Sequence, residues 1–143
     1  MLVSTIGKKD KKILSSEDVK NKKIESFSFS QDKKNVLIFT NSVRVWRYNT
    51  RGNYWVYNLK TKQGKKLGST LPERSLMFAK FSPNGEKIAY VSKEIIPNSF
   101  RNSSTRANIY LETVEGNSIV KLTESDEKGK IINGTFDWVY DCL

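Results

Sequence analysis

The sequence has no histidine and a single cysteine, Cys142, in 143 residues. The first absence excludes the Ser-His-Asp triad, the Cys-His dyad and every zinc site that uses imidazole. The second excludes an internal disulfide and any cysteine-rich metal cluster. Nothing in the composition asks for a cofactor or a metal. No apolar run approaches the roughly 20 residues of a membrane helix. The opening stretch, MLVSTIGKKDKK, reaches its charges too soon to be an export leader; if the protein is secreted, the signal is not in this chain. A self-sufficient hydrolase does not fit these absences, so any activity has to come from a partner or from sequence outside the chain.

What is present in excess is positive charge, +10 in all. It is uneven. Residues 1–34 hold nine Lys against five acids, residues 35–74 hold eight Lys/Arg against Glu73 alone, and residues 75–143 hold eight against nine. A basic half can mean a nucleic-acid or anionic-membrane partner. A solvated surface is the plainer reading, because most of these lysines fall in turn-like positions.

The periodicity is that of strands. Phe27 and Phe29 alternate with Ser26, Ser28 and Ser30. Val36-Leu37-Ile38-Phe39 is a short apolar run, Val43 and Val45 alternate with Arg44 and Trp46, and Tyr54-Trp55-Val56-Tyr57 is aromatic. Short runs rich in β-branched and aromatic residues, broken by Gly, Asn, Asp and Pro, read as strands. No helix-length window carries an apolar stripe at 3.6 spacing; Ser15–Val19 offers one turn at most.

The sequence also repeats. Ser28–Ile38 aligns with Lys80–Tyr90, matching Phe29 to Phe81, Ser30 to Ser82, Asp32 to Asn84 and Val36 to Ile88. Trp55–Leu59 followed by Gly64–Leu67 resembles Asn108–Glu112 followed by Gly116 and Val120–Leu122. Each unit reads strand, turn, strand, strand, Gly turn, strand. Four antiparallel strands at a period of about 40–50 residues is the pattern of a β-propeller blade. Pro83-Asn84-Gly85 and Glu115-Gly116-Asn117 supply the preset and positive φ that tight turns need.

The predicted fold is therefore all-β: a partial β-propeller of about two four-stranded antiparallel blades plus flanking strands. The blade units span approximately residues 25–70 and 76–124, and a further element begins over 131–143. Lys11–Leu14 reads as an outer strand of a blade whose remainder is missing. The polar stretch between Val91 and Asn108, with Pro97 inside it, reads as an extended loop within one blade. Asn102-Ser103-Ser104 and Asn133-Gly134-Thr135 match the glycosylation sequon, which matters only in a eukaryotic secretory setting. Propellers usually need at least four blades to close, so the chain reads as part of a longer one.

Two stretches exceed a generic propeller: Val45-Trp46-Arg47-Tyr48-Asn49-Thr50-Arg51-Gly52 and Ile132-Asn133-Gly134-Thr135-Phe136-Asp137-Trp138-Val139-Tyr140. With Phe81-Ser82-Pro83-Asn84-Gly85 and Ile88-Ala89-Tyr90-Val91, they resemble the dipeptidyl peptidase IV family, particularly its bacterial members. The likeness runs from about Phe27 to Tyr140. The Asn-Gly-Thr-Phe-Asp-Trp-Val-Tyr string is specific to that family, whereas the Phe-Ser-Pro-Asn-Gly turn is common to many propellers.

The resemblance implies a serine exopeptidase that releases a dipeptide from a peptide N-terminus, typically after proline. It implies an N-terminal propeller of about eight blades and a C-terminal α/β-hydrolase domain that holds the whole Ser-Asp-His triad, so this chain carries no catalytic residue. It implies that Arg47 lies near a substrate backbone carbonyl. Adjacent glutamates after Asp-Trp-Val-Tyr would grip the substrate's free ammonium. Two carboxylates can accept from an ammonium's donors, and in a partly dry cavity that selects free N-termini. A nearby arginine keeps both ionised. Here the sequence departs: Asp141 stands first in the acidic run, and Cys142 and Leu143 stand where glutamates follow. The ammonium anchor is degraded or absent, through truncation, a frameshift or a true variant. Family likeness places the parent outside the cell, in the periplasm or at the cell envelope.

Plainer roles stand beside these. Arg47 can stack on Trp46 or Tyr48 with no ligand, Asp141 can be a surface acid, and Trp138 can be packing. Cys142 has no evident activator. Three functions compete. The first is a propeller fragment of a dipeptidyl peptidase IV-like peptidase, inactive alone, partnered by a peptide N-terminus and the hydrolase domain. The second is a non-catalytic interaction module whose open blade edges self-associate. The third, disfavoured, is nucleic-acid binding through residues 35–74, where Arg, Trp and Tyr interleave.

Overall fold

The computed structural model describes the backbone of residues 2–6, 9–14, 23–44, 50–95, 105–125 and 133–135, with side chains from residue 23 onward except at 94–95 and 105–106. Ten strands and no helix are found among the described residues. Strands β1 (Leu2–Ile6) and β2 (Lys9–Leu14) form a separate antiparallel hairpin, with Ile6 opposite Lys9 and Ser4 opposite Lys11. Lys11–Leu14 is thus a strand as expected, but its partner is the adjacent Leu2–Ile6 rather than an absent blade. Pairing between segments so near in sequence forms at little chain-entropy cost.

The remaining eight strands fall into two units of four. The first holds β3 (Ile24–Phe29), β4 (Asn35–Arg44), β5 (Thr50–Asn58) and β6 (Gln63–Lys66). The second holds β7 (Leu76–Phe81), β8 (Lys87–Ile95), β9 (Thr105–Thr113) and β10 (Ile119–Lys121). Every pairing is antiparallel. The first strand of each unit is bulged, between Ile24 and Ser26 in β3 and between Met77 and Lys80 in β7. The repeat read in the sequence is therefore a structural repeat of two blade-like meanders.

The repeated turns show why. In the first, the Ser30 hydroxyl donates to Asp32 Oδ1 at 2.6 Å and accepts from the Asn35 amide at 3.0 Å. In the second, Ser82 donates to Asn84 Oδ1 at 2.7 Å and accepts from the Lys87 amide at 3.0 Å. The short polar side chains bond the backbone locally and fix the reversal. Lys33 and Gly85 hold equivalent places, with φ of 55° and 74°. The second turn meets this left-handed requirement with glycine; the first imposes it on a lysine.

The two units join along one edge of β5. Trp55–Asn58 pair with β6, and after β6 turns away Gly52 pairs with Leu76 of β7. The period-two pattern of β4 then divides the core. Leu37 packs with Val56, Leu67, Leu76, Ile88, Tyr90, Tyr110 and Val114, a cluster drawn from both units. Val36 and Ile38 pack with Trp55 and Tyr57 on the opposite face of the first unit, and Met77, Val91 and Ala107 form a third cluster in the second. Apolar residues on both sheet faces are what a blade packed between neighbours requires. The sheet does not close: its order is β10-β9-β8-β7-β5-β4-β3, with β6 also on β5.

One further expectation changes. The stretch between Val91 and Asn108 is not all loop. Strands β8 and β9 pair without interruption from Lys87↔Thr113 to Ile95↔Thr105, so Ser92–Ile95 and Thr105–Ala107 are strand. An antiparallel ladder continues wherever both partners can supply amides, and polar side chains do not stop it. Phe27 and Phe29 fall on a strand, as their alternation implies. They are 49% and 41% exposed on β3, which has β4 on one side only. The helical turn at Ser15–Val19 and the loop centre at 96–104 lie outside the described residues.

Candidate functional site

Strand direction decides which residues meet. β4, β8 and β10 finish, and β3, β5, β7 and β9 start, at one common end of the two units. The four repeated and Gly-containing turns lie at the other. Arg44 and Thr50 are register partners at the first end, and they flank residues 45–49. The string that begins at Asn133 reaches the same end. The Asn133 amide donates to the Ala107 carbonyl at 3.0 Å, and its side-chain Nδ2 donates to Asn108 Oδ1 at 3.2 Å. That bond occupies the nitrogen a glycan would use at this sequon. Gly134, at φ 76°, lies so close to the sheet that a Cβ there would meet Val91 Cγ2 at 2.6 Å and Ile109 Cγ1 at 3.0 Å. Only glycine permits both that conformation and that approach.

Arg47 and Asp141 themselves lie outside the described residues, as do Trp46, Trp138 and Cys142. The described residues that flank them, Arg44/Thr50 and Asn133–Thr135, lie at the same end of the two units, with the row Gly52, Leu76, Ser92 and Asn108 running across the strands between them.

The end is rich in polar groups that the sequence did not single out. Buried Asn53 donates through Nδ2 to Glu73 Oε2 at 2.8 Å and accepts at Oδ1 from the Arg74 amide at 2.9 Å. Lys66 pairs with Glu73. The Arg74 guanidinium reaches Asn41 Oδ1 at 2.9 Å, and Ser75 and Ser92 share a 2.9 Å hydroxyl contact. Asn108 receives Thr123 and Asn133 at Oδ1 and donates to Ser125. Lys93 is half-buried, and burial first, then the charge of Arg51, hold its amine below the usual lysine range.

A second node lies between the units. Glu112 is 1% exposed, accepts from Lys65 Nζ at 2.8 Å through Oε1, and accepts from Tyr90 OH and the Gly68 amide, each at 2.9 Å, through Oε2. Burial and the Glu112 charge push the Tyr90 phenol well above its ordinary range. The available signal was one acid in the otherwise apolar alternation Ile109–Val114; its partner, 47 positions earlier, left no trace in local pattern. Among the described residues no group of three or more His, Cys, Asp or Glu is gathered as a metal site, and no helix is long and apolar enough to cross a membrane.

Two successive four-stranded antiparallel units define the described residues as a stretch of blade-type sheet. Residues 30–141 match the family profile described as the dipeptidyl peptidase IV (DPP IV) N-terminal region, and the chain belongs to that family. It is 31% identical over 121 residues to dipeptidyl aminopeptidase B of Saccharomyces cerevisiae, covering 85% of this chain and 13% of that protein. It is 30% identical over 129 residues to human prolyl endopeptidase FAP, covering 90% and 15%. Among solved structures, Porphyromonas gingivalis dipeptidyl peptidase 4 superposes with a TM-score of 0.60 at 24% identity, over 82% of this chain and 14% of that one. The chain thus spans about one seventh of the length of the proteins it matches, and its fold is that of their N-terminal region.

Proposed function

We propose that this chain serves as the substrate-admitting and N-terminus-recognising part of a dipeptidyl peptidase IV-like serine exopeptidase and has no hydrolytic activity alone. The observation that supports this reading most is that Arg44/Thr50, which flank Arg47, and Asn133–Thr135, which lead to Asp141, lie at the same end of the two units in a chain matched to the family through residue 141. In this reading Arg47 holds a substrate carbonyl. Asp141 is the remaining acid of an ammonium grip that Cys142 and Leu143 leave incomplete. Nucleophile, base and acid come from a C-terminal α/β-hydrolase domain, and the assembled enzyme works outside the cell, in the periplasm or at the envelope.

The test uses the 143-residue chain with a chromogenic Xaa-Pro anilide and with the free and N-acetylated Xaa-Pro dipeptides. The expected result is no hydrolysis, weak binding of the free amine over the acetylated form, and loss of binding in Arg47→Gln. Turnover by the chain alone, or equal binding of the acetylated peptide, contradicts the reading.

A second reading, an interaction module, draws on the exposed Phe27, Phe29, Val120 and Leu122 on or beside the outermost strands β3 and β10. Unpaired edges with exposed apolar side chains invite association. Light scattering on a size-exclusion column decides it: a clean monomer of 16.4 kDa removes this reading.

A further inference from the structure

Arg51 of β5 and Lys93 of β8 share one sheet face beside Asn133–Thr135, and among the described residues no acid pairs with either. Gly52 pairs with Leu76, and Leu76 with Ser92. Arg51 and Lys93 each lie one residue from that row, so both project to the opposite face, the face of Val91, Ala107 and Ile109 on which Gly134 rests. Arg51 Nε is buried with no hydrogen-bond partner, and so is Thr135 Oγ1, the next residue after Gly134. No salt bridge reaches Arg51 or Lys93 among the described residues, while Lys93 feels the Arg51 charge. Half-burying two like charges without a counter-ion is costly, and an unpaired guanidinium N–H adds to the cost. A planar, charged acceptor removes all three deficits together: it can take a hydrogen bond from Arg51 Nε, one from the Thr135 hydroxyl, and the charge of Lys93.

We propose that Arg51, Lys93 and Thr135 form a carboxylate-binding site. Its occupant is either an acidic group of a bound peptide or a carboxylate of this chain, Asp137 or Asp141, two and six residues beyond Thr135. The site differs from Arg47 and does not depend on the peptidase reading.

The experiment uses the full chain with labelled lysine, assigning the Lys93 side-chain resonance by Lys93→Arg. Acetate is titrated, with acetamide as neutral control and chloride as ionic-strength control. An external-carboxylate site gives a saturable Lys93 shift in the wild type with acetate but not with acetamide or chloride. It also raises the Lys93 titration midpoint, is lost in Arg51→Gln and is kept in Arg51→Lys. A site filled by the chain's own carboxylate gives that response only in Asp137→Asn/Asp141→Asn. Both results support the proposal. No response beyond chloride in either background, or an undiminished response in a folded Arg51→Gln, overturns it.

Discussion

Lys65 Nζ lies 2.8 Å from Oε1 of Glu112, joining the last strand of the first unit to the third strand of the second. The same ammonium reaches the carbonyls of Thr113 at 2.9 Å and Gly116 at 2.5 Å. One flexible side chain thereby satisfies three acceptors across the inter-unit boundary. Breaking a buried pair from one side leaves the other charge uncompensated. Lys65→Met should destabilise the chain by about 3 kcal/mol, near the lower end for such pairs because Lys65 keeps some solvent contact. Urea unfolding measures it, and a loss below about 0.5 kcal/mol would place the pair among ordinary surface contacts.

Tyr90 predicts an alkaline limit. Its folded pKa is raised above the unfolded value near 10. The corresponding stability is fully present below pH 10 and is lost as pH rises above it, because the unfolded chain releases a proton that the folded chain holds. Stability of the wild type should fall between pH 10 and 11.5. In Tyr90→Phe it should be lower by about 2 kcal/mol at neutral pH, the size of a hydrogen bond to a charged group, and should fall less steeply. Equal slopes would refute the assignment.

The repeated turns differ in one residue that the fold strains. Lys33→Gly, matching Gly85, should stabilise the chain by up to about 1 kcal/mol, since a left-handed φ costs a non-glycine residue about 1–2 kcal/mol and the more flexible unfolded glycine returns part of the gain. The reciprocal Gly85→Lys should lose about 1–2 kcal/mol. Thermal unfolding of the two variants checks the sign of each.

Ser30 and Ser82 make the same bonds in different surroundings. Ser30 is 2% exposed, whereas Ser82 is only half-buried. Ser30→Ala leaves the Asn35 amide without its hydroxyl acceptor in a dry place and should cost about 1–3 kcal/mol; Ser82→Ala should cost less than about 1 kcal/mol. Asp32, whose carboxyl the Ser30 hydroxyl holds below its ordinary range, adds stability that disappears as pH falls through its folded pKa.

The repeat was legible because strand runs, turn residues and their 52-residue offset are local properties, and each survived folding: Ser30/Ser82, Asp32/Asn84 and Val36/Ile88 occupy equivalent places. The alternation of Phe27 and Phe29 marked strand β3 correctly but carried no information on whether a neighbour covers it. The Ser92–Ile95 and Thr105–Ala107 ladder was missed because its polar residues resemble loop, although backbone pairing is indifferent to them. The Lys65–Glu112 node was invisible because charges 47 positions apart meet only once two units stack. Arg51 was quoted only as part of the Trp46-Arg47 string, and its face became meaningful when the Gly52↔Leu76 pairing fixed it.

The central claim is that the Arg47 and Asp141 elements converge at one end of the two units. The lone Cys142 gives one spin-label position and Arg47→Cys a second, so a dipolar distance measurement tests it directly. The account predicts a distance under about 20 Å, well inside the roughly 30 Å length of a nine-residue strand such as β5. A distance of about 30 Å or more, placing the labels at opposite ends of the sheet, would contradict it.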